Sequence, residues 1–205
     1  MDRFRRNAAL LGFVSLTMAL PFVVRAGPPD PLHCDVDPII FMAPEVMLTT
    51  AISPFHRPFR AVIRDADGNP LPGVDVILDF ATTGVKPAVS QISPMVTVCA
   101  GPAIAVPTNA AGMAAGFLAG GGLVHDPAVA VSAGGVFLRD VIVRSSDYDA
   151  NGDTDGFDFD RFRTNFLKHP ENTESDFNFD GIVDVIDFDI FRKMLIKPGG
   201  TPYCP

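Results

Sequence analysis

Along this chain the spacing of apolar residues changes once. From about residue 28 to residue 144, short apolar runs alternate with turn residues, and the runs 39–42, 46–51, 59–64, 74–80, 95–99, 113–118, 128–131 and 136–143 are expected to be strands. Val74, Val76, Leu78 and Phe80 alternate with Asp75, Ile77 and Asp79, the pattern of a strand with one buried face. Turns are expected at Asp67-Gly68-Asn69-Pro70, Pro72-Gly73, Asn109 to Gly112 and Gly120-Gly121-Gly122. After residue 158 the period becomes helical. Phe159, Phe162 and Phe166, then Phe188, Phe191 and Leu195, recur at i, i+3 and i+7, so each segment carries one apolar helix face. Pro170 closes the first helix and Pro198-Gly199-Gly200 the second.

Each helix is preceded by the same acidic pattern. Residues 147–158 read DYDANGDTDGFD and residues 176–187 read DFNFDGIVDVID, 29 residues apart start to start. Both place oxygen side chains at positions 1, 3, 5, 9 and 12 and glycine at position 6, the layout of a twelve-residue EF-hand-type loop. Calcium takes six to eight oxygens, and alternate residues of a tight loop all point inward. The expected ligands of loop one are Asp147, Asp149, Asn151, the carbonyl of Asp153, Asp155 and Asp158. Those of loop two are Asp176, Asn178, Asp180, the carbonyl of Ile182, Asp184 and Asp187. Two Ca2+ ions are expected, one per loop. A solvated acidic linker with chance periodicity is the bland alternative; the joint repetition of ligand and core positions argues against it.

The duplicated loop, Asp rather than Glu at position 12, and a helix only on the C-terminal side resemble the dockerin modules of secreted bacterial proteins, over roughly residues 146–196. In dockerins, loop positions 10 and 11 and exposed helix positions contact a cohesin partner. The resemblance therefore implies partner contacts at Phe157, Val185 and Ile186, with Gly156 beside Phe157, and at the matching helix residues Arg163 and Arg192. Family members that bind cohesins often carry small hydroxyl residues at the loop positions, which this chain lacks. A second resemblance rests on VIRDADGNPLPGVDVILDF, PTNAAGMAAGFLAGGG and AVAVSAGGVFLRDVIV, which are similar to bacterial Ig-like domains of the intimin/invasin type. It implies a spacer or adhesive module. The expected fold is thus mainly β: an Ig-like antiparallel β-sandwich (27–144), then a small α-helical dockerin-like EF-hand pair (145–198), then a tail (199–205).

Composition adds limits. The chain has 205 residues and a formal charge of −8 from 24 acidic and 16 basic side chains, much of the excess lying in the two loops. That balance argues against nucleic-acid binding, which needs basic patches. Residues 1–26 are expected to be a signal peptide: Arg3, Arg5 and Arg6 precede an apolar stretch from Ala8 to Val24, and Val24-Arg25-Ala26 suits cleavage. Retention as a membrane anchor is the alternative and would be the chain's one membrane contact. The mature protein is expected to be secreted or held at the cell surface. Cys34, Cys99 and Cys204 then allow one disulfide and one leftover thiol, with the pairing open.

Catalytic signatures are missing from the sequence. No Gly-x-Ser-x-Gly elbow or phosphate-binding loop occurs, and His33, His56, His125 and His169 lack metal-ligand spacing. With no Trp and only Tyr148 and Tyr203, the chain lacks the aromatic platform of a carbohydrate-binding sandwich. The expectation is a non-catalytic calcium-binding protein that attaches to a cohesin-type partner. The rival is a structural surface protein in which calcium only stiffens the fold.

Overall fold

The computed structural model describes residues 26–44, 58–91, 94–122, 129–168, 173–195 and 202–205. The segment expected to target the chain, the run 46–51 and the proline and glycine stops after both helices lie outside the described residues, apart from Ala26.

The described chain is mainly β, with eleven strands and two α-helices. In chain order the strands are β1 (Asp35–Val36), β2 (Ile39–Ala43), β3 (Phe59–Val62), β4 (Asp75–Asp79), β5 (Val85–Pro87), β6 (Val96–Val98), β7 (Ala103–Pro107), β8 (Met113–Gly116), β9 (Leu118–Gly122), β10 (Val129–Ala133) and β11 (Val136–Ser145). The helices are α1 (Gly156–Lys168) and α2 (Val185–Met194), with a short 3-10 turn at Thr173–Ser175 between them. One sheet has the order β1-β3-β8 and the other β5-β9-β2-β11-β10-β4-β7-β6. Inward side chains of both sheets form one core, in which Phe59, Ile63, Val76, Leu78, Phe80, Ile104, Leu118 and Val131 are buried. In β4, Val76 and Leu78 point inward while Asp75 and Asp79 stay exposed, as the alternation predicts.

The expectation of a purely antiparallel sandwich needs correction. β2 runs parallel to both of its neighbours, with Ile39 opposite Ile142 on β11 and Met42 opposite Leu118 on β9. Buried on both faces, β2 is a continuous apolar run, which suits a strand between parallel partners. Its two faces serve different cores. Ile40 and Met42 enter the core between the sheets. Phe41 and Ala43 enter a second core with Tyr148, Phe162, Phe177, Val183, Ile190, Phe191 and Met194.

The Gly120-Gly121-Gly122 run is a second correction: these residues finish β9 and do not form a turn. A Cβ on Gly120 would lie 2.4 Å from Met42 Cε and 2.7 Å from the Lys86 carbonyl. Close approach of neighbouring strands, and not turning, selects glycine here.

Within the expected tail, residues 202–205 return to the sheet. Tyr203 bridges to Ala88, the Val89 N–H donates to the Pro202 carbonyl, and the Cys204 N–H donates to the Pro87 carbonyl at 3.0 Å. Cys204 is buried and forms a disulfide with Cys99, 105 residues away, leaving Cys34 as the free thiol. Closing a loop of that length removes unfolded-chain entropy corresponding to about 4–5 kcal/mol. The double variant Cys99→Ser/Cys204→Ser is expected to lose stability of about that size in urea unfolding, and Cys34→Ser much less. Equal losses from both would show that the crosslink itself contributes little.

Candidate calcium centre

The two acidic loops fold alike, residue for residue. The position-1 carboxylates accept from the position-6 N–H: Gly152 to Asp147 Oδ2 and Gly181 to Asp176 Oδ2, both 2.9 Å. Position 12 accepts from position 2: Tyr148 to Asp158 Oδ1 and Phe177 to Asp187 Oδ1, both 2.6 Å. It also accepts from position 9: Asp155 to Asp158 Oδ2 at 2.8 Å and Asp184 to Asp187 Oδ2 at 2.9 Å. Asp153 and Ile182, at position 7, donate to the position-5 oxygens of Asn151 and Asp180 at 2.8 and 2.9 Å. Asp155 and Asp184 accept from Phe157 and Ile186, both at 2.7 Å, which caps each helix start. Backbone conformation repeats as well. Position 6 has φ of 96° at Gly152 and 93° at Gly181, and position 4 is left-handed at Ala150 and Phe179. Glycine meets the first demand without a steric penalty.

These bonds explain how Asp substitutes for Glu at position 12. Each position-12 carboxylate is held against its own loop by two or more N–H donors, which fixes the short arm. Asp147, Asp149 and Asp158 place one oxygen each within 4.8 Å of one another. In loop two, Asn178 stands where loop one has the carboxylate of Asp149, and its amide donates to Asp180 at 2.8 Å. No comparably tight carboxylate trio forms there among the described residues.

Asp147, Asp158 and Asp187 are fully buried, yet no ion pair among the described residues reaches any of them. Burial is the main cause of their raised pKa values, with neighbouring carboxylates adding to it. The Asp158 carboxyl is pushed up to about 7, and those of Asp147 and Asp187 to about 6, from an ordinary 3.8. A set of hard, crowded, unneutralised oxygens fits a divalent cation with oxygen preference. The sign of the pH effect follows. Because the folded pKa values are raised, these three groups contribute stability to the metal-free protein that is fully present below about pH 4 and is lost as pH rises to about 6–7. A divalent cation held by these oxygens would displace those protons, so its affinity would rise over the same interval. Thermal melts are expected to show the two trends crossing; parallel trends with and without calcium would contradict this.

Residues that sequence reasoning missed complete the centre. Tyr148, at loop position 2, buries its ring in the second core and shares a 2.6 Å hydrogen bond with Ser175, which also accepts from Asn165 at 2.8 Å. Arg161 lies over the Tyr148 ring, 5.6 Å from its centroid, and pairs with Glu174 at 2.9 Å. The Tyr148 ring packs in the same core as Phe162 and Phe191, two of the helix-face residues that the spacing does pick out, which stack at 4.8 Å across the centre of the core. Tyr203 donates its hydroxyl to Asp147 Oδ2 at 2.7 Å. A lone tyrosine 56 residues downstream carries no spacing signal.

The residues implied as partner contacts all lie outside the loop centres. Phe157 and Val185 are two-thirds exposed and Ile186 is partly exposed. Arg163 and Arg192 sit at the surface, each paired one turn back, with Asp160 and Asp189 at 2.7 Å. No protein-family model matches the chain, and neither a curated protein nor a solved structure is significantly similar to it.

Proposed function

We propose that this chain is a secreted, non-catalytic protein whose C-terminal helix pair is a dockerin-like module holding two calcium ions and attaching to a cohesin-type partner. The observation that carries the reading is the internal repeat: the same seven loop hydrogen bonds recur at a fixed offset of 29 residues, from one position-1 carboxylate to the next. Asp147, Asp149, Asn151, Asp155 and Asp158 would hold one ion, and Asp176, Asn178, Asp180, Asp184 and Asp187 the other, with the position-7 carbonyls. Calcium here supplies fixed positive charge to oxygens that otherwise repel.

The exposed apolar residues support attachment. Phe157, Val185 and Ile186 surround the helix starts. Nearby, Phe159, Phe162, Arg163, Phe166, Leu167 and Phe188 line a cleft of about 350 Å³. The N-terminal sheets, in this reading, are an Ig-like spacer. Pull-down against a panel of cohesins with and without chelator tests the attachment role. Calcium-dependent capture lost in a Phe157→Asp/Val185→Asp variant is the expected result; calcium binding without capture of any cohesin would reject it.

One observation favours the stiffening role instead. The helix core is built partly on β2 of the sheet, through Phe41 and Ala43. Calcium would then brace a surface protein without recruiting a partner. The same pull-down separates the two readings.

A further inference from the structure

We propose that Tyr203 is a positioning residue of loop one: its hydroxyl orients the Asp147 carboxylate as a calcium ligand, and the Cys99–Cys204 disulfide holds it there. This rests on the calcium reading above and adds a difference between the loops that their repeat conceals.

The two position-1 carboxylates have different surroundings. Among the described residues, Asp176 accepts only from its own loop, from Asp180 at 3.1 Å and Gly181 at 2.9 Å. Asp147 has the equivalent bonds, from Asn151 at 3.3 Å and Gly152 at 2.9 Å, and also the Tyr203 hydroxyl at 2.7 Å. Its backbone is anchored too, because the Gly122 N–H donates to the Asp147 carbonyl at 2.6 Å. β9 leaves room for this arrangement. A Cβ on Gly121 would fall 2.5 Å from Asp147 Oδ2 and 2.8 Å from the Tyr203 hydroxyl. Strand β9, the C-terminal segment and the first residue of loop one thus meet at one carboxylate.

The hydroxyl has little freedom. Tyr203 is bridged to Ala88, and its neighbours Pro202 and Cys204 bond to Val89 and Pro87. The disulfide joins the next residue to Cys99. A hydrogen bond from outside the coordination shell fixes a ligand's orientation, and its loss typically costs about 10–100-fold in metal affinity. Among the described residues loop two has no such support, so the effect is confined to one ion.

Calorimetry on the full chain, comparing wild type with Tyr203→Phe, tests this. Wild type is expected to bind two calcium ions. In Tyr203→Phe one site should weaken by about 10–100-fold while the other keeps its affinity. Terbium assigns the loop. The chain's two tyrosines, Tyr148 and Tyr203, both lie at loop one, whereas loop two has Phe177 at the place of Tyr148. Tyrosine-sensitised terbium emission therefore reports loop one, and Tyr148 keeps that signal in Tyr203→Phe, which should need more terbium to saturate. Cys99→Ser/Cys204→Ser, with Tyr203 intact, should reproduce the same selective loss. Unchanged affinities, or equal weakening of both sites, would overturn the positioning role; an unaffected Cys99→Ser/Cys204→Ser variant would overturn the role of the disulfide. Absence of calcium binding in wild type would instead remove the calcium reading itself.

Discussion

Phe41→Ala is expected to destabilise the protein by about 3–5 kcal/mol, the cost of emptying a large aromatic site in a packed core. Phe41 sits on β2 between two layers. It meets Phe177 edge-on at 5.5 Å, inside the cluster that unites Tyr148, Phe162 and Phe191. Its strand neighbours Ile40 and Met42 face the other way, into the core between the sheets. Truncation should therefore loosen the helices and also weaken the parallel β2–β11 and β2–β9 pairs. Denaturant unfolding followed separately by helical and strand signals is the measurement. A loss of this size in one shared transition is expected. A loss confined to the helical signal would show that β2 does not couple the cores.

Excess chelator is expected to remove the helical signal of α1 and α2. Both helices carry a buried position-12 aspartate in their first turn, Asp158 or Asp187, which no ion pair neutralises among the described residues. Metal bound only by the folded module adds its binding energy to folding, about 2.7 kcal/mol per site at a free concentration roughly one hundred times Kd. Two sites then supply on the order of 5 kcal/mol, a large share of the stability of a small helical unit. The sheets should stay folded at reduced stability, since β2 loses the packing of Phe41 and Ala43 while the core between the sheets and the Cys99–Cys204 disulfide remain. Exposure of Phe41 and the helix phenylalanines should appear as binding of a hydrophobic dye. Unchanged helical circular dichroism in chelator would show that the phenylalanine core holds without metal.

The loops were legible because their information is local. Ligand oxygens at alternate positions, glycine at position 6 and the helix face after position 12 all lie within a few residues. The periodicity located the cores of both helices, although Phe188 of the expected apolar face remains partly exposed while Ile190 and Met194 fill the interior. Most strands were visible for the same reason. What escaped depends on partners distant in sequence. The role of Gly120 is set by Met42 and Lys86, and that of Gly121 by Asp147 and Tyr203. The two-sided burial of β2 hides its alternation, so nothing local tells that Phe41 and Met42 belong to different cores. β7 escaped because Ala103 and Ala105 are weakly apolar and their pairing with β4 supplies the context. The Cys99–Cys204 pairing likewise needs the return of residues 202–205 to the sheet edge beside β5.

Titration calorimetry of the chain with calcium at neutral pH, after removal of all divalent ions, tests the central claim most directly. Two ions per chain are predicted, with Asp147→Ala and Asp176→Ala each removing binding at its own loop. Absence of binding, or one ion lost equally to either substitution, would contradict a duplicated calcium centre.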